Sequence, residues 1–271
     1  MRNLLKKIFY SSIELFKSDA EGYSTISVLN GQTKGLTLRL KLQQESAYFW
    51  GSYDENLLVL INRIAKPDWS MWDCGTYIGM YTVFFAKITN NQGKVFSFEP
   101  DKVNLARTQQ NVALNNFNHV TFVNIAVADT DGDLQFFVGG NTNSHLPIGW
   151  IGSTKEDYQK IEVKKETIQV KANTLNTMAE LYGVPNFIKI DIEGAEITAL
   201  NHAQKLVDSR KTIFLIESHN PETDARIFNF AKEANYLLRQ AEQPNYPLIV
   251  DIKHSQGTML AYPAEMKLGI E

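Results

Sequence analysis

The sequence predicts an α/β protein in which a mostly parallel sheet carries helices on both faces and ends in an antiparallel hairpin. Two observations predict it. From "WSMWD" onward, short apolar runs alternate with longer segments whose apolar residues recur at helical spacing. The last two strand-like segments, "YLLRQAE" and "GTMLAYP", have no helical pattern between them long enough for a parallel crossover, so they should pair antiparallel.

The opening "MRNLLKKIFYSSIELF" places Leu5, Ile8, Phe9, Ile13 and Phe16 near one helical face, flanked by Arg2, Lys6 and Lys7. Such a helix, over residues 2–17, either packs on its own domain or makes weak contact with a membrane surface. "TISVLN" and "LTLRLKL", separated by the turn-rich "GQTKG", read as a hairpin, and residues 1–50 as an N-terminal appendage. Residues 51–271 form the main domain. A helix from Asp54 to Ala65 precedes Pro67, which ends it. Strand "WSMWD" then leads through "CGTYIG" into a helix over 79–90, "KVFSFE" into one over 101–116, and "VTFVNIAV" forms a third strand. The longest irregular stretch follows, with a strand-like "DLQFFVG", a polar and glycine-rich "GNTNSHLPIGWIGS" and an alternating "IEVKKETIQVK"; the insertion over 139–172 is of the kind that shapes an acceptor site. The alternation resumes with a helix near 174–182, strand "NFIKID", a helix from about 195, strand "TIFLIE" and a helix over 221–234.

Composition narrows the function. The 271 residues carry a net charge of −3, with 44% hydrophobic and 21% charged residues, so no basic excess is available to hold a nucleic acid. Cys74 is the single cysteine, which forbids an internal disulfide and a multi-cysteine zinc site and fits a reducing, cytoplasmic setting. No apolar run reaches the length of about 18 residues that a membrane span needs, so no integral membrane segment is expected.

Three strand ends carry the chemistry. In "WDCGTYIG", Asp73 ends an apolar strand, and Gly75 and Gly79 frame a turn that opens a helix, with Thr76 and Tyr77 between them. A dinucleotide loop would have a third, middle glycine to approach a pyrophosphate. Its absence, with an acid at the head of the loop, suits a cationic ligand without phosphate, such as S-adenosylmethionine. The alternative is a tight strand-to-helix turn with no ligand. Glu99 ends the next strand, twenty residues after Gly79, where a carboxylate can accept from both ribose hydroxyls; Pro100 stops the strand there. Ala126, in the third strand, completes that set. In "FIKIDIEGAEI", Asp191 and Glu193 fall at a strand's carboxyl end and should face the same crevice as Asp73, unless they only cap the helix whose start Glu196 marks. "FLIESHN" brings Glu217, His219 and Asn220 to the same rim; of the five histidines His219 is best placed and His145, in the insertion, second.

These segments, "DCGTYIGMYTVFFAK", "GKVFSFEPDKVNLARTQQNVALNN" and "IKIDIEGAEITAL", resemble the FkbM-type methyltransferases over roughly residues 51–219. The order of motifs carries the resemblance: G-x-Y and an acid at Gly51 to Asp54, the glycine loop, F-E-P, asparagines at 111 and 115, and D-x-E-G-A-E. It implies a Rossmann-like fold and S-adenosylmethionine-dependent O-methylation of a sugar, glycan or polyketide-like acceptor. Family members commonly have Ala and Asn where this chain has Thr76 and Tyr77, a departure that lets the Tyr77 ring line the pocket.

Methyl transfer to a hydroxyl needs a base within about 3 Å. Asp191, Glu193 and His219 are the candidates, and His219 is favoured as an imidazole held neutral by the cofactor's positive charge. No dedicated metal site is expected, although a divalent ion bridging Asp191, Glu193 and acceptor oxygens is compatible with the sequence. N-methylation, a non-catalytic methyltransferase-like module and an NAD-dependent oxidoreductase are the rival functions.

Overall fold

The computed structural model describes residues 18–140, 148–151, 164–252 and 257–270. The expected N-terminal helix, its surface contact and His145 lie outside the described residues.

Seven strands form the main sheet. In chain order they are β3 (Ser70–Cys74), β4 (Lys94–Phe98), β5 (Val120–Val123), β10 (Phe187–Ile190), β11 (Ile213–Ile216), β12 (Tyr236–Gln240) and β13 (Met259–Pro263). Across the sheet the order is β12-β13-β11-β10-β3-β4-β5. The strands from β5 to β11 are parallel, and β13 runs antiparallel to both β11 and β12. All four residues of β10 and all four of β11 are buried, as a central strand covered on both faces requires. Parallel strands demand crossovers, and helices supply them: α3 (Met80–Thr89) from β3 to β4, α4 (Lys102–Ala113) from β4 to β5, α5 (Leu175–Tyr182) ahead of β10, α6 (Glu196–Leu200) and α7 (Gln204–Asp208) from β10 to β11, and α8 (Pro221–Glu233) from β11 to β12.

The chain order reverses between β3 and β10, since β4 lies on one side of β3 and β10 on the other. A crevice opens at such a switch point, outside the carboxyl ends of the strands.

The N-terminal hairpin, β1 (Ser24–Ser27) with β2 (Thr37–Leu40), forms as expected. It packs on the main domain. Leu38, Leu40, Tyr48 and Phe49 belong to the same buried cluster as Met71, Phe84, Phe85 and Phe187 of the main domain. Helix α3 is therefore apolar on nearly every side, with Met80 to Ala86 all buried. A short helix α1 (Ser46–Trp50) and helix α2 (Glu55–Ile64) connect hairpin to sheet.

Three expectations need correction. "VTFVNIAV" is not one strand: Asn124 donates to the carbonyls of Glu99 and Pro100, both at 2.8 Å, and the chain turns there into β6 (Ala126–Val127). The insertion carries one strand more than expected: besides β7 (Gly132–Gly140) and β9 (Lys164–Asn173), which coincide with its strand-like and alternating segments, β8 (Ile148–Ile151) forms in the glycine-rich stretch, and the three join β6 in a second sheet of order β6-β9-β7-β8. The helix from about 195 is two short ones, α6 (Glu196–Leu200) and α7 (Gln204–Asp208), because tight bonds from His202 N to Ala199 O and from Ala203 N to Leu200 O break the helical ladder between them. No described helix is long and apolar enough to cross a membrane.

Candidate active site

The turn after β3 is fixed by two glycines in the left-handed region. Gly75 (φ 81°) lies so close to β10 that a Cβ there would stand 1.8 Å from the Asp191 carbonyl oxygen. Gly79 (φ 79°) lies against Thr108 of α4, where a Cβ would come within 2.5 Å of its methyl group. Both glycines thus serve close approach of protein to protein. The Thr76 hydroxyl turns inward to the Thr108 hydroxyl at 3.1 Å, and Tyr77 adopts φ 49°.

Glu99 is 4% exposed and holds this loop from below. Its Oε2 accepts from the amides of Thr76 (3.1 Å) and Tyr77 (3.0 Å), and its Oε1 from the amide of Asp101 (3.0 Å). Burial pushes its carboxyl up to about 7, against the amides that favour the charge. The acid expected to face a ribose is therefore already engaged with the loop. Ala126 is 2% exposed, pairs with Ala172 and packs against Phe136 and Val170.

Asp73 is fully buried, behind the loop and not on its surface. One oxygen accepts from the Thr82 hydroxyl at 2.6 Å; the other, Oδ1, has no hydrogen-bond partner and lies 3.8 Å from the Lys189 ammonium. Lys189 is the residue opposite Asp73 in the β3–β10 ladder. Its Nζ donates to the Gly75 carbonyl and to Asp191 Oδ2, both at 3.0 Å, and stands over the Tyr81 ring. Desolvation opposes its charge, but Asp191 and Asp73 hold the ammonium above its ordinary pKa. Burial likewise works against Asp191, yet Lys189 outweighs it and keeps that carboxyl below the usual range. The cation expected beside Asp73 is thus in part supplied by the protein.

The rim of β10 and β11 gathers the titratable groups. Asp191 and Glu217 follow the paired residues Ile190 and Ile216, so the parallel ladder sets them side by side. His219 joins them, with Nε2 3.8 Å from Asp191 Oδ1 and 3.6 Å from Glu196 Oε1, and Nδ1 4.0 Å from Glu217 Oε1. Asp191, Glu217 and His219 each offer a ligand atom, all within 4.8 Å of one another. Glu196 caps the segment before its own helix, accepting from the amides of Ile192 and Gly194. Glu193 sits in the left-handed region (φ 55°), its carboxyl raised by burial and by the charge of Asp191.

In the ligand-free chain these neighbours work in the opposite direction to the cofactor charge expected to hold His219 neutral. Its hydrogen bond to Glu196, with the charges of Glu196, Glu217 and Glu193, outweighs desolvation and lifts its pKa to about 9. Burial and the Asp191 charge raise Glu217 to about 8.

The sequence that encodes this arrangement was compared with known proteins. A family model described as a methyltransferase FkbM domain matches residues 73–239. The chain belongs to the FkbM family. No curated protein sequence matches it. Solved structures similar to it include cofactor-bound Rv0187 from MTB (14% identity, TM-score 0.45), covering 79% of this chain and 81% of that one. A precorrin-6y C5,15-methyltransferase from Geobacter metallireducens (11% identity, TM-score 0.43) covers 77% and 87% respectively. An rRNA methylase from Streptococcus thermophilus (12% identity, TM-score 0.42) covers 76% and 92%.

Within the FkbM domain, Asn111 of α4 and Asn115 just beyond its end have a structural task. Asn111 accepts from Arg39 N (2.7 Å) and donates to the Ile78 carbonyl (2.8 Å); Asn115 accepts from and donates to the Thr37 backbone. They clamp strand β2 to the glycine loop. A second clamp escaped sequence reasoning: Arg107 makes a bidentate pair with Glu45, and the Tyr77 hydroxyl donates to Glu45 at 3.2 Å. Asp54, which the FkbM resemblance had marked, accepts from the Tyr81 hydroxyl at 2.9 Å. Lys189 also went unnoticed, although a lysine amid "FIKID" is a signal in itself, since a buried strand rarely carries a charge without a partner.

Proposed function

We propose that this FkbM-domain protein transfers a methyl group from S-adenosylmethionine to a hydroxyl of a sugar, glycan or polyketide-like small molecule. The observation that carries this reading is the convergence of Asp191, Glu217 and His219 beside the Gly75–Gly79 loop, at the sheet's switch point.

The residues present fit the cofactor. Asp73 Oδ1 is buried without a hydrogen-bond partner, and carboxylates at Asp54, Asp191, Glu193 and Glu217 suit a sulfonium and an ammonium. The backbone of Gly75, Thr76, Tyr77 and Gly79 would hold it, with Glu99, Pro100 and Ala126 on the nucleoside side and Asp191 toward the cation. Glu99 makes three of the roughly four hydrogen bonds a carboxylate can accept, so about one position remains. S-adenosylmethionine held there would supply an electrophilic methyl group for transfer to the acceptor oxygen.

The chain's own contribution is position and proton transfer. Holding acceptor and methyl in line supplies roughly 7–11 kcal/mol of barrier reduction. The acceptor's proton passes to the Asp191, Glu217 and His219 group, whose side-chain donor atoms lie within 4.8 Å of one another.

Thermal unfolding with S-adenosylmethionine, S-adenosylhomocysteine and NAD tests the cofactor assignment. At one hundred times the dissociation constant, binding adds about 2.7 kcal/mol, a rise of roughly 5–11 °C for a domain of this size. A rise with NAD alone, or with none of the three, would overturn the reading.

A further inference from the structure

We propose that Asp191, Glu217 and His219 bind one divalent metal ion of the Mn²⁺ class at the carboxyl edge of β10 and β11. Their ligand atoms lie within 4.8 Å of one another, as three donors to one ion must. The backbone builds the site: Glu217 N donates to the Ile190 carbonyl at 3.0 Å, which holds the first residue beyond β11 beside the first residue beyond β10. Two like charges set together by a sheet ladder repel unless a cation or protons lie between them.

A second observation points the same way. Glu196 is fully buried, its carboxylate reaches the His219 ring at 3.6 Å, and its Oε2 has no hydrogen-bond partner. An orphan carboxylate oxygen at this depth is costly unless positive charge lies near it, and the His219 ring, with an ion held by that ring, is placed to supply it. Lys189 does not meet that need. Its ammonium is taken by Asp191 Oδ2, the Gly75 carbonyl and Asp73, which leaves Asp191 Oδ1 facing His219.

The donor set selects the metal. Carboxylates favour Mg²⁺ and Mn²⁺, while an imidazole shifts preference toward the transition metals, and Mn²⁺ satisfies both. Three protein ligands leave about three octahedral positions open. Glu196, touching His219 from behind, orients the imidazole. The ion's role rests on the methyl-transfer reading: it takes the acceptor's oxygens in its open positions and lowers the hydroxyl pKa directly. His219 then serves as a ligand to the ion.

The test is titration of the chelator-treated full chain with MnCl₂, following free Mn²⁺ by electron paramagnetic resonance, without cofactor or acceptor. Saturable binding of one ion per chain is expected, weakened at least about tenfold in Glu217→Gln and in His219→Ala. Circular dichroism verifies the fold of both variants, and Asp133→Asn, an exposed acid on β7, should bind as the parent does. No saturable binding, or binding that survives in both site variants, would overturn the proposal. Thermal shifts with S-adenosylmethionine in the same samples separate the two readings. A shift without Mn²⁺ binding leaves the function standing and removes the metal; Mn²⁺ binding without a shift does the reverse.

Discussion

Removal of the Glu45 carboxylate tests how firmly the N-terminal hairpin is tied to the glycine loop. The Glu45 and Arg107 side chains are 2% and 7% exposed, so water cannot replace the lost partner. A Glu45→Ala change leaves the guanidinium buried, retaining its bond to the Arg39 carbonyl at 2.9 Å, while Tyr77 loses the acceptor for its hydroxyl. Breaking a buried pair from one side costs about 3–5 kcal/mol. At about 2–4 °C per kcal/mol for a domain of this size, the melting temperature should fall by roughly 6–20 °C. Urea denaturation gives the free energy, and cofactor titration of the folded variant should show weakened binding through the released loop. The double variant Glu45→Met with Arg107→Met should regain much of the loss, because no charge is then left unpaired. A loss below about 1 kcal/mol in Glu45→Ala, the value of an exposed pair, would refute the argument.

Gly75→Ala should yield little folded protein, or protein without cofactor binding, because its Cβ would stand 1.8 Å from the Asp191 carbonyl; normal expression and melting would contradict that packing. Glu99, raised by burial to about 7 from an ordinary 4.5, holds its proton more tightly in the folded chain. Its contribution to stability is therefore complete below about 4.5 and lost as pH rises through about 7. Glu99→Gln should flatten that part of the pH–stability curve, and an unchanged slope would count against the assignment. NMR titration of ligand-free protein should place the His219 midpoint near 9, and Glu196→Gln should lower it; a parent midpoint at the ordinary 6.5 would disprove the carboxylate cage. His219→Ala should cut turnover while leaving cofactor affinity within a few-fold, and undiminished turnover would remove His219 from the chemistry.

Sheet and helices were legible because each obeys a local rule. Apolar runs such as "TIFLIE" are buried on both faces, and Asn220 caps α8 ahead of Pro221, as the sequence advertises. Site positions at strand ends were legible for the same reason, since an acid after an apolar run must lie at the sheet's edge. What a side chain does at its position was less so. Gly75 reads as a ligand contact, but the carbonyl it accommodates is 116 residues away in sequence. The charge of His219 depends on Glu196, Glu193 and Glu217, which only the meeting of β10 and β11 brings around it. The break at Asn124 depends on carbonyls of another strand, and no local propensity signals it.

The cross-strand partnership of Asp73 and Lys189 bears on how the chain finds its fold. The two central strands are otherwise almost wholly apolar, and apolar strands can slide past one another with little change in buried area. A shift by one residue would turn Lys189 to the opposite face, stranding an ammonium and a carboxylate in separate hydrocarbon layers. The pair therefore acts as an alignment key, admitting a single phase between β3 and β10. That phase sets the height at which Asp191 emerges against Gly75, and so the shape of everything built on that edge. An apolar replacement of both residues would be predicted to keep its stability and lose its single alignment, with several imperfect edges in place of one working site.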